Sequence, residues 1–595
     1  MRKTFSLILF APILIFGQTP CTNGTAGGFP CNGVRLMSQV IPSELGAENI
    51  GTRWINDIWG WTDPLTGKEY ALIGMTNGTS FVDISDPVNP VVLGVLKEHN
   101  WNLVNQGGET TRIQHDGAKS LWRDIKVYGN YAYVVSEDAN HGIQVFDLTD
   151  LRDVVDLPVD FQETGHYDGV GAVHNIFINE QTGFLYAVGF NDGGKTCSAG
   201  GLHIVDLSDP VNPVYAGCFD DEGYIHDTQC VIYNGPDADY VGQEICFNSN
   251  GNNGGSNTIT IVNATSKSSP QLIFEAEYQN AFYAHQGWLT EDHKYFLSND
   301  ELDEANTGGP TKTFVWDVQD LDNPTLIGTY IHDSYSIDHN LYVIGSRIYQ
   351  SNYSSGLRVL NTLKIAEGVL AEDMFFDTYP ADNSTAFWGT WSNYPFFESG
   401  NVIVSDFTGG LFVLQPMDIM IDLQPQDISV VSGEENTIEF SVIGENLTFQ
   451  WQVNTGSGFV NIADLTKYED PAAMSLKILV PRLADLGNKY RCVISDLNGT
   501  QAVSNAMTIS DVLLSAKVLE NYSVYPNPTD RLLHIDQIWL QAVSAHLYSL
   551  DGKMMQSMEL KEGANEMSTN HLPSGMYLLK LVSSNAETVV RVVIQ

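Results

Sequence analysis

Basic side chains are scarce in this chain: 29 Lys and Arg stand against 72 Asp and Glu, a formal charge of −43 over 595 residues. Repulsion between so acidic a surface and a phosphate backbone argues against nucleic acid as a partner. Long apolar runs are scarcer still. The one extended run, Phe5 to Phe16, follows Arg2 and Lys3 and is too short for a transmembrane helix. With Gly17 and Gln18 behind it, residues 1–17 read as a cleaved secretory signal. No cysteine follows that run directly, and Cys21 comes several residues later, so a lipid-modified N-terminus is not expected. Long amphipathic stretches of helical period are missing too. Together with 53 Gly, 26 Tyr and 26 Phe, this favours short strands and tight turns. The expected fold class is all-β.

Cysteines number seven and none has C-x-x-C spacing, which disfavours a thiolate metal site. Export permits disulfides, and the expected pairs are Cys21 with Cys31, Cys197 with Cys218, and Cys230 with Cys246. The chain also lacks a G-x-S-x-G elbow, an H-E-x-x-H pair and a glycine-rich phosphate loop with lysine. In so acidic a chain, neighbouring carboxylates say nothing about glycoside hydrolysis.

What the chain has instead is a repeat. Seven alternating apolar strands, most ending in Asp or Asn, occur at 79–83, 143–147, 202–206, 259–263, 313–317, 357–361 and 411–415. Successive last residues are 44 to 64 positions apart, which suits four-stranded blades with loops. The expected architecture is a seven-bladed β-propeller over 33–416, preceded by a Cys-bounded loop at 18–32. The outer strand of the last blade would come from residues 34–42, which removes an open edge.

Before each repeat lies a second alignable strand, opening Asn56-Asp57, Arg123-Asp124, His174-Asn175, His226-Asp227, His285-Gln286, His339-Asn340 and Trp388-Gly389. If these strands are innermost, their first residues ring one mouth of the axial channel. Three readings of the ring stand. His174, His226, His285 and His339 converge on a transition metal, with Asp124, Asp227 and Asp338 orienting the imidazoles. Or the His-Asp pairs staple blade to blade. Or Asn56, Arg123, Trp388 and those carboxylates contact a ligand at the mouth. The cluster Asp300, Glu301, Asp303 and Glu304 reads either as a calcium-binding loop or as an exposed acidic loop. Residues 248–257, rich in Asn and Gly, read as a blade loop.

From 422 to 510 the strands shorten, and Trp451 precedes Asp485-x-Gly487-x-x-Tyr490-x-Cys492. This resembles an immunoglobulin-like sandwich with its core tryptophan and tyrosine corner. The partner cysteine is replaced by Phe440, so Cys492 is expected to be a buried free thiol. The last region, 518–595, holds Tyr525-Pro526-Asn527-Pro528-Thr529, Asp551-Gly552 and Leu572-Pro573-Ser574-Gly575-Met576-Tyr577. Hairpins are expected at Asp551-Gly552 and Ser574-Gly575. The three motifs resemble the C-terminal sorting domain of Bacteroidetes type IX secretion cargo. That resemblance implies the type IX machinery as partner, export across the outer membrane, and release or attachment to the cell surface. The end, Arg591-Val592-Val593-Ile594-Gln595, lacks the lysines frequent in that family.

The propeller region also resembles a family. His226-Asp227-x-x-Cys230, His285-Gln286-Gly287-Trp288, Asn299-Asp300-Glu301-Leu302-Asp303-Glu304 and Asp338-His339-Asn340-Leu341-Tyr342 resemble the signatures of choice-of-anchor B proteins, built on Leu-Val-Ile-Val-Asp repeats. The resemblance implies a secreted propeller carried by varied anchoring tails and brings no activity with it. Two functions follow from the residues. One is a surface-displayed module binding an extracellular protein or glycan; the other is a metal-dependent enzyme, an oxidoreductase, using the histidine ring.

Overall fold

The computed structural model describes residues 18–595 apart from 100, 107–108, 115–118, 140, 191–196, 198–199, 252–256, 418, 444–446, 496–500, 514–521, 538–542 and 585. The signal at 1–17 and residues 252–256 of the Asn/Gly loop lie outside these residues, whereas Asn248 to Asn250 complete the strand Glu244–Asn250. The chain forms two compact units, Met1–Met417 and Asp418–Gln595.

The first unit is a β-propeller of antiparallel sheets. Their innermost strands are Ile55–Thr62, Arg123–Tyr128, Asn175–Asn179, Asp227–Ile232, Ala284–Leu289, Leu341–Ile344 and Thr390–Tyr394, each opening a sheet whose first three strands run outward in chain order. Every repeat strand is third in its sheet. Such a strand is buried on both faces, as in Ile143–Asp147 and Leu202–Asp206, because its alternating side chains serve two different cores. Phe81 stacks on Phe146 of the next sheet at 4.7 Å, while Val82 beside it joins Val413 in the core shared with the last sheet. Each neighbouring pair of sheets shares such a core, and the first and last share one too, which closes the ring.

The polar end of the repeat has its own cause. The side chains of Asp83, Asp147, Asp206, Asn263, Asp317 and Asn361 each accept the backbone N–H two residues on, at 2.7–3.4 Å, and so turn the chain out of the strand.

Val34–Val40 pairs antiparallel with Gly410–Pro416, so the last sheet takes its outer strand from the N-terminal side of the chain. The segment before it is not a free loop. Phe29–Asn32 extends the sixth sheet beyond Val369–Phe376, with Thr25–Ala26 outside it.

Disulfides join Cys21 to Cys31, Cys197 to Cys218, and Cys230 to Cys246; the last pair sits directly opposed on neighbouring strands. The Cys197–Cys218 bond closes a span of 21 residues around the third repeat strand. Replacing both by alanine is expected to lower stability by about 3 kcal/mol through the freed unfolded chain, measured by denaturant unfolding.

In the second unit, residues 419–513 carry three sheets, of two, six and three strands, around one core. Trp451, Tyr490, Cys492 and Phe440 lie in its core, Phe440 packs edge-on against Trp451 at 5.6 Å, and Cys492 is a buried free thiol. The Tyr490 hydroxyl lies 3.2 Å from that of Tyr468. Residues 522–595 form a separate small core around Leu533, Leu547, Leu579 and Val592. Asp551-Gly552 does close a hairpin, between Val543–Ser549 and Met554–Leu560. Ser574-Gly575 does not. The strands on either side of it, Gly563–Ser568 and Gly575–Val582, belong to different sheets, so this turn is a crossover.

A histidine-lined candidate metal centre

The inner strands bring four imidazoles into one file. Ring centroids of His174, His226, His285 and His339 follow one another at 4.5, 4.3 and 4.2 Å, and Trp391 continues the file 4.0 Å from His339. Three inner strands are bulged at this end, between Ile55 and Ile58, Ala284 and Gly287, and Thr390 and Ser392. A bulge re-aims side chains, and here it turns His285 and Trp391 toward the axis.

The blade-to-blade bonds use one ring nitrogen and leave the other over. His226 donates from Nδ1 to the His285 carbonyl at 2.8 Å, and His339 donates from Nδ1 to the Trp391 carbonyl at 2.6 Å, so each ring ties its own sheet to the next. With Nδ1 protonated by that bond, Nε2 carries the lone pair. In His339 this Nε2 is buried with no hydrogen-bond partner among the described residues. Burial first, then the neighbouring imidazoles, hold His226, His285 and His339 well below the ordinary imidazole range, so they are neutral. Burial opposes charge on His174 as well, but the Glu137 carboxylate at 2.7 Å raises it.

Glu301 joins this file from the loop after Tyr295–Asp300. Its Oε1 accepts the Tyr353 hydroxyl at 2.7 Å and lies 3.9 Å from His339 Nε2. Burial pushes Glu301 up to about 7. One ligand atom each from His285, Glu301 and His339 falls within a mutual 4.8 Å. Two imidazoles and one carboxylate form a donor set suited to iron, zinc, nickel or copper. A cavity of about 340 Å³ opens beside them, lined also by Arg53, Trp122, Glu137, Tyr224, Tyr283, Phe387 and Trp391. Trp122 stacks on Trp391 at 4.6 Å, with Arg53 over the Trp122 ring at 4.9 Å.

Several expected mouth residues serve elsewhere. Asn56 is fully buried and donates to the Leu121 carbonyl at 2.9 Å. Arg123 turns away from the axis, donates from Nε to the Met75 carbonyl and pairs with buried Glu98. Trp388 stands outside the cavity lining, and the position equivalent to the histidines belongs to Trp391, three residues later. The carboxylates do not orient the imidazoles. Asp124 accepts from the Ile125 and Ile176 backbone and holds Lys126 Nζ at 2.5 Å; Asp227 accepts from Thr228 N–H. Asp57, Asp124 and Asp227 surround the Lys126 ammonium, and burial pushes Asp57 up to about 7 and Asp227 to about 8. Asp338 has no hydrogen-bond partner among the described residues. The acidic loop is neither wholly exposed nor one site: Asp303–Thr307 is a short helix with Asp303 and Glu304 buried, and Glu301 points to the histidines. Arg53, Trp122 and Glu137 come from connections that carry no repeat signal.

Comparison with known proteins is consistent with both ends of the chain. The secretion system C-terminal sorting domain matches residues 523–595, a tail that directs type IX export to the cell surface or extracellular space. The LVIVD repeat matches residues 67–97, 122–147 and 197–221. No curated protein matches the chain. Among solved structures, a protein from Lactobacillus plantarum is 11% identical over 74% of this chain and 96% of its own, with a TM-score of 0.29. A tandem pair of titin immunoglobulin domains is 16% identical over 30% of this chain and 95% of its own, with a TM-score of 0.14. The first domain of Duf (Kirre) is 20% identical over 16% of this chain and 98% of its own, with a TM-score of 0.14. No helix among the described residues is long and apolar enough to cross a membrane.

Proposed function

We propose that the protein is a surface-delivered, seven-bladed propeller of the choice-of-anchor B type that holds a transition-metal ion at its axial mouth through His285, His339 and Glu301. The ion and the cavity beside it bind a small polar group of an extracellular protein or glycan. The observation that carries this reading is the convergence of three neutral-imidazole and carboxylate donors within 4.8 Å at the wall of a cavity of about 340 Å³. Arg53, Tyr224, Tyr283 and the Trp122–Trp391 stack supply charge, hydroxyls and a flat apolar face, the mixture that orients a sugar ring or a polar side chain. Residues 422–510 act as an immunoglobulin-like spacer between the propeller and the sorting tail.

Three protein donors leave coordination positions open toward the cavity, which favours a metal-dependent oxidoreductase as the second reading. Elemental analysis by plasma mass spectrometry, on protein purified without a histidine tag, tests the shared premise. About one iron, copper, zinc or nickel per chain is expected. A folded chain that stays metal-free after incubation with each ion overturns it and leaves the ring as a blade staple and direct ligand contact.

A further inference from the structure

Among the described residues lining the axial cavity, Arg53 is the one arginine or lysine. Its backbone is pinned before any ligand arrives. The Arg53 N–H donates to the Ile50 carbonyl at 3.2 Å, the Ile50 N–H donates to the Arg53 carbonyl at 2.9 Å, and the Trp54 N–H donates to the Phe407 carbonyl at 3.1 Å. Its guanidinium carbon sits over two rings, 4.9 Å from the centroid of Trp122 and 4.9 Å from that of Phe407. Elsewhere in the propeller Arg123 pairs with Glu98, Arg152 with Asp63 and Arg358 with Glu372. The Arg53 side chain, by contrast, has ring contacts but neither a hydrogen bond nor an ion pair among the described residues.

An aromatic face attracts a cation but does not satisfy the N–H donors in the guanidinium plane. The two rings therefore fix the group and leave its donors for the cavity. A planar fork of N–H donors matches a carboxylate through two parallel hydrogen bonds. With 72 acidic residues against 29 basic ones, this chain has acceptors in excess, so a cavity arginine left without one is the informative observation. The rest of the lining calls for hydroxyls. Tyr224 and Tyr283 offer phenol groups, and the Glu137 carboxylate, whose side chain is 40% exposed, accepts from a hydroxyl and repels a second carboxylate. A volume of about 340 Å³ is at the low end for small-molecule cavities and suits about one ring. The complement of such a lining is a compact ring with one carboxylate and several hydroxyls.

We propose that the cavity binds a hexuronic acid unit of an extracellular glycan, its carboxylate forked on Arg53 and its hydroxyls on Tyr224, Tyr283 and Glu137. The proposal rests on the reading of this cavity as a binding site and names the ligand class; it does not require the metal ion. An acidic side chain of a protein partner satisfies Arg53 equally but brings no hydroxyls for Glu137 and the tyrosines, so the sugar acid is the fuller complement. Because the backbone bonds and the two rings already hold Arg53, little ordering is lost when the carboxylate docks.

The test is calorimetric titration of the full chain, both metal-loaded and chelator-stripped, with the sodium salts of glucuronate, galacturonate, mannuronate and iduronate. The neutral hexose of each and N-acetylglutamate amide are the comparison probes, and plasma mass spectrometry reads metal content in the same samples. At least one hexuronate should bind in both forms, about 10-fold or more tighter than its hexose, the margin of a charge-assisted contact. Arg53→Gln should abolish that margin, and Arg53→Lys should restore part of it, because the ammonium keeps the charge and loses the fork. The Tm of each variant checks the fold, and if Arg53→Gln does not fold, Arg53→Lys carries the same comparison. No binding of any hexuronate to folded wild type overturns the proposal, as does binding undiminished in folded Arg53→Gln. Tighter binding of N-acetylglutamate amide than of every hexuronate also overturns it, in favour of an acidic protein partner. Arg53-dependent hexuronate binding to a chain that takes up no metal upholds the proposal and removes the metal centre; a metal-loaded chain that binds no hexuronate does the reverse.

Discussion

Glu301→Gln is expected to lower the affinity of the propeller for the proposed transition-metal ion by at least about 100-fold, the upper range for losing a residue that only supports a ligand. The substitution keeps the shape of the side chain and leaves an acceptor for the Tyr353 hydroxyl, so the loop has no reason to move. What it removes is an anionic oxygen 3.9 Å from His339 Nε2. His339→Ala should cost at least as much affinity. It also breaks the Nδ1 bond to the Trp391 carbonyl and the ring contact at 4.0 Å, so some stability goes with it. His174→Ala is the internal control: its Nδ1 is engaged by Glu137 and it is not among the three converging donors, so metal content should change little. Competition against a chelator of known affinity, read by plasma mass spectrometry, measures all three. Equal metal content in wild type and Glu301→Gln would remove the carboxylate from the site.

Arg123→Ala should lower propeller stability by about 3–5 kcal/mol without changing metal content. The guanidinium is 0% exposed, donates from Nε to Met75 O at 2.6 Å and pairs with Glu98, itself 5% exposed. Truncation leaves Glu98 buried with only the Ser136 hydroxyl, at 3.1 Å, and His141 nearby. Most of the loss is the penalty of that stranded carboxylate rather than the worth of the pair. A double variant, Arg123→Met with Glu98→Leu, should therefore recover much of the loss, and denaturant unfolding of the three variants measures the coupling. If Arg123 were instead a mouth contact, single truncation would leave stability nearly untouched.

The propeller was legible because its causes are local. An alternating strand buried on both faces, closed by Asp or Asn, writes itself into five or six consecutive residues and repeats. The same holds for the closing strand Val34–Val40 and for cysteines that face each other across neighbouring strands, such as Cys230 and Cys246. The histidine column was legible for the same reason, since an imidazole stands at or just before the start of the inner strand in four successive sheets. The alignment of strand openings puts Trp388-Gly389 in the seventh place. The bulge between Thr390 and Ser392 shifts the true position to Trp391, and a bulge leaves no periodic trace. Ser574-Gly575 carries hairpin residues yet joins two sheets, because a turn sequence specifies a change of direction and not the partner of the next strand.

The sequence by itself determined the all-β class, the repeat, the disulfide pairs and the export tail, all of which depend mostly on neighbours along the chain. Only the tertiary structure decided what stands at the axis. Glu301 reaches His285 and His339 from a different loop, Arg53 and Trp122 arrive from the first two sheets, and Arg123 leaves the ring for Glu98. It also decided which imidazole nitrogen staples and which is left over. The physical reason is shared: charge, protonation and ligation are set by what lies within a few ångströms, and near the axis those atoms come from segments tens to hundreds of residues apart in the chain.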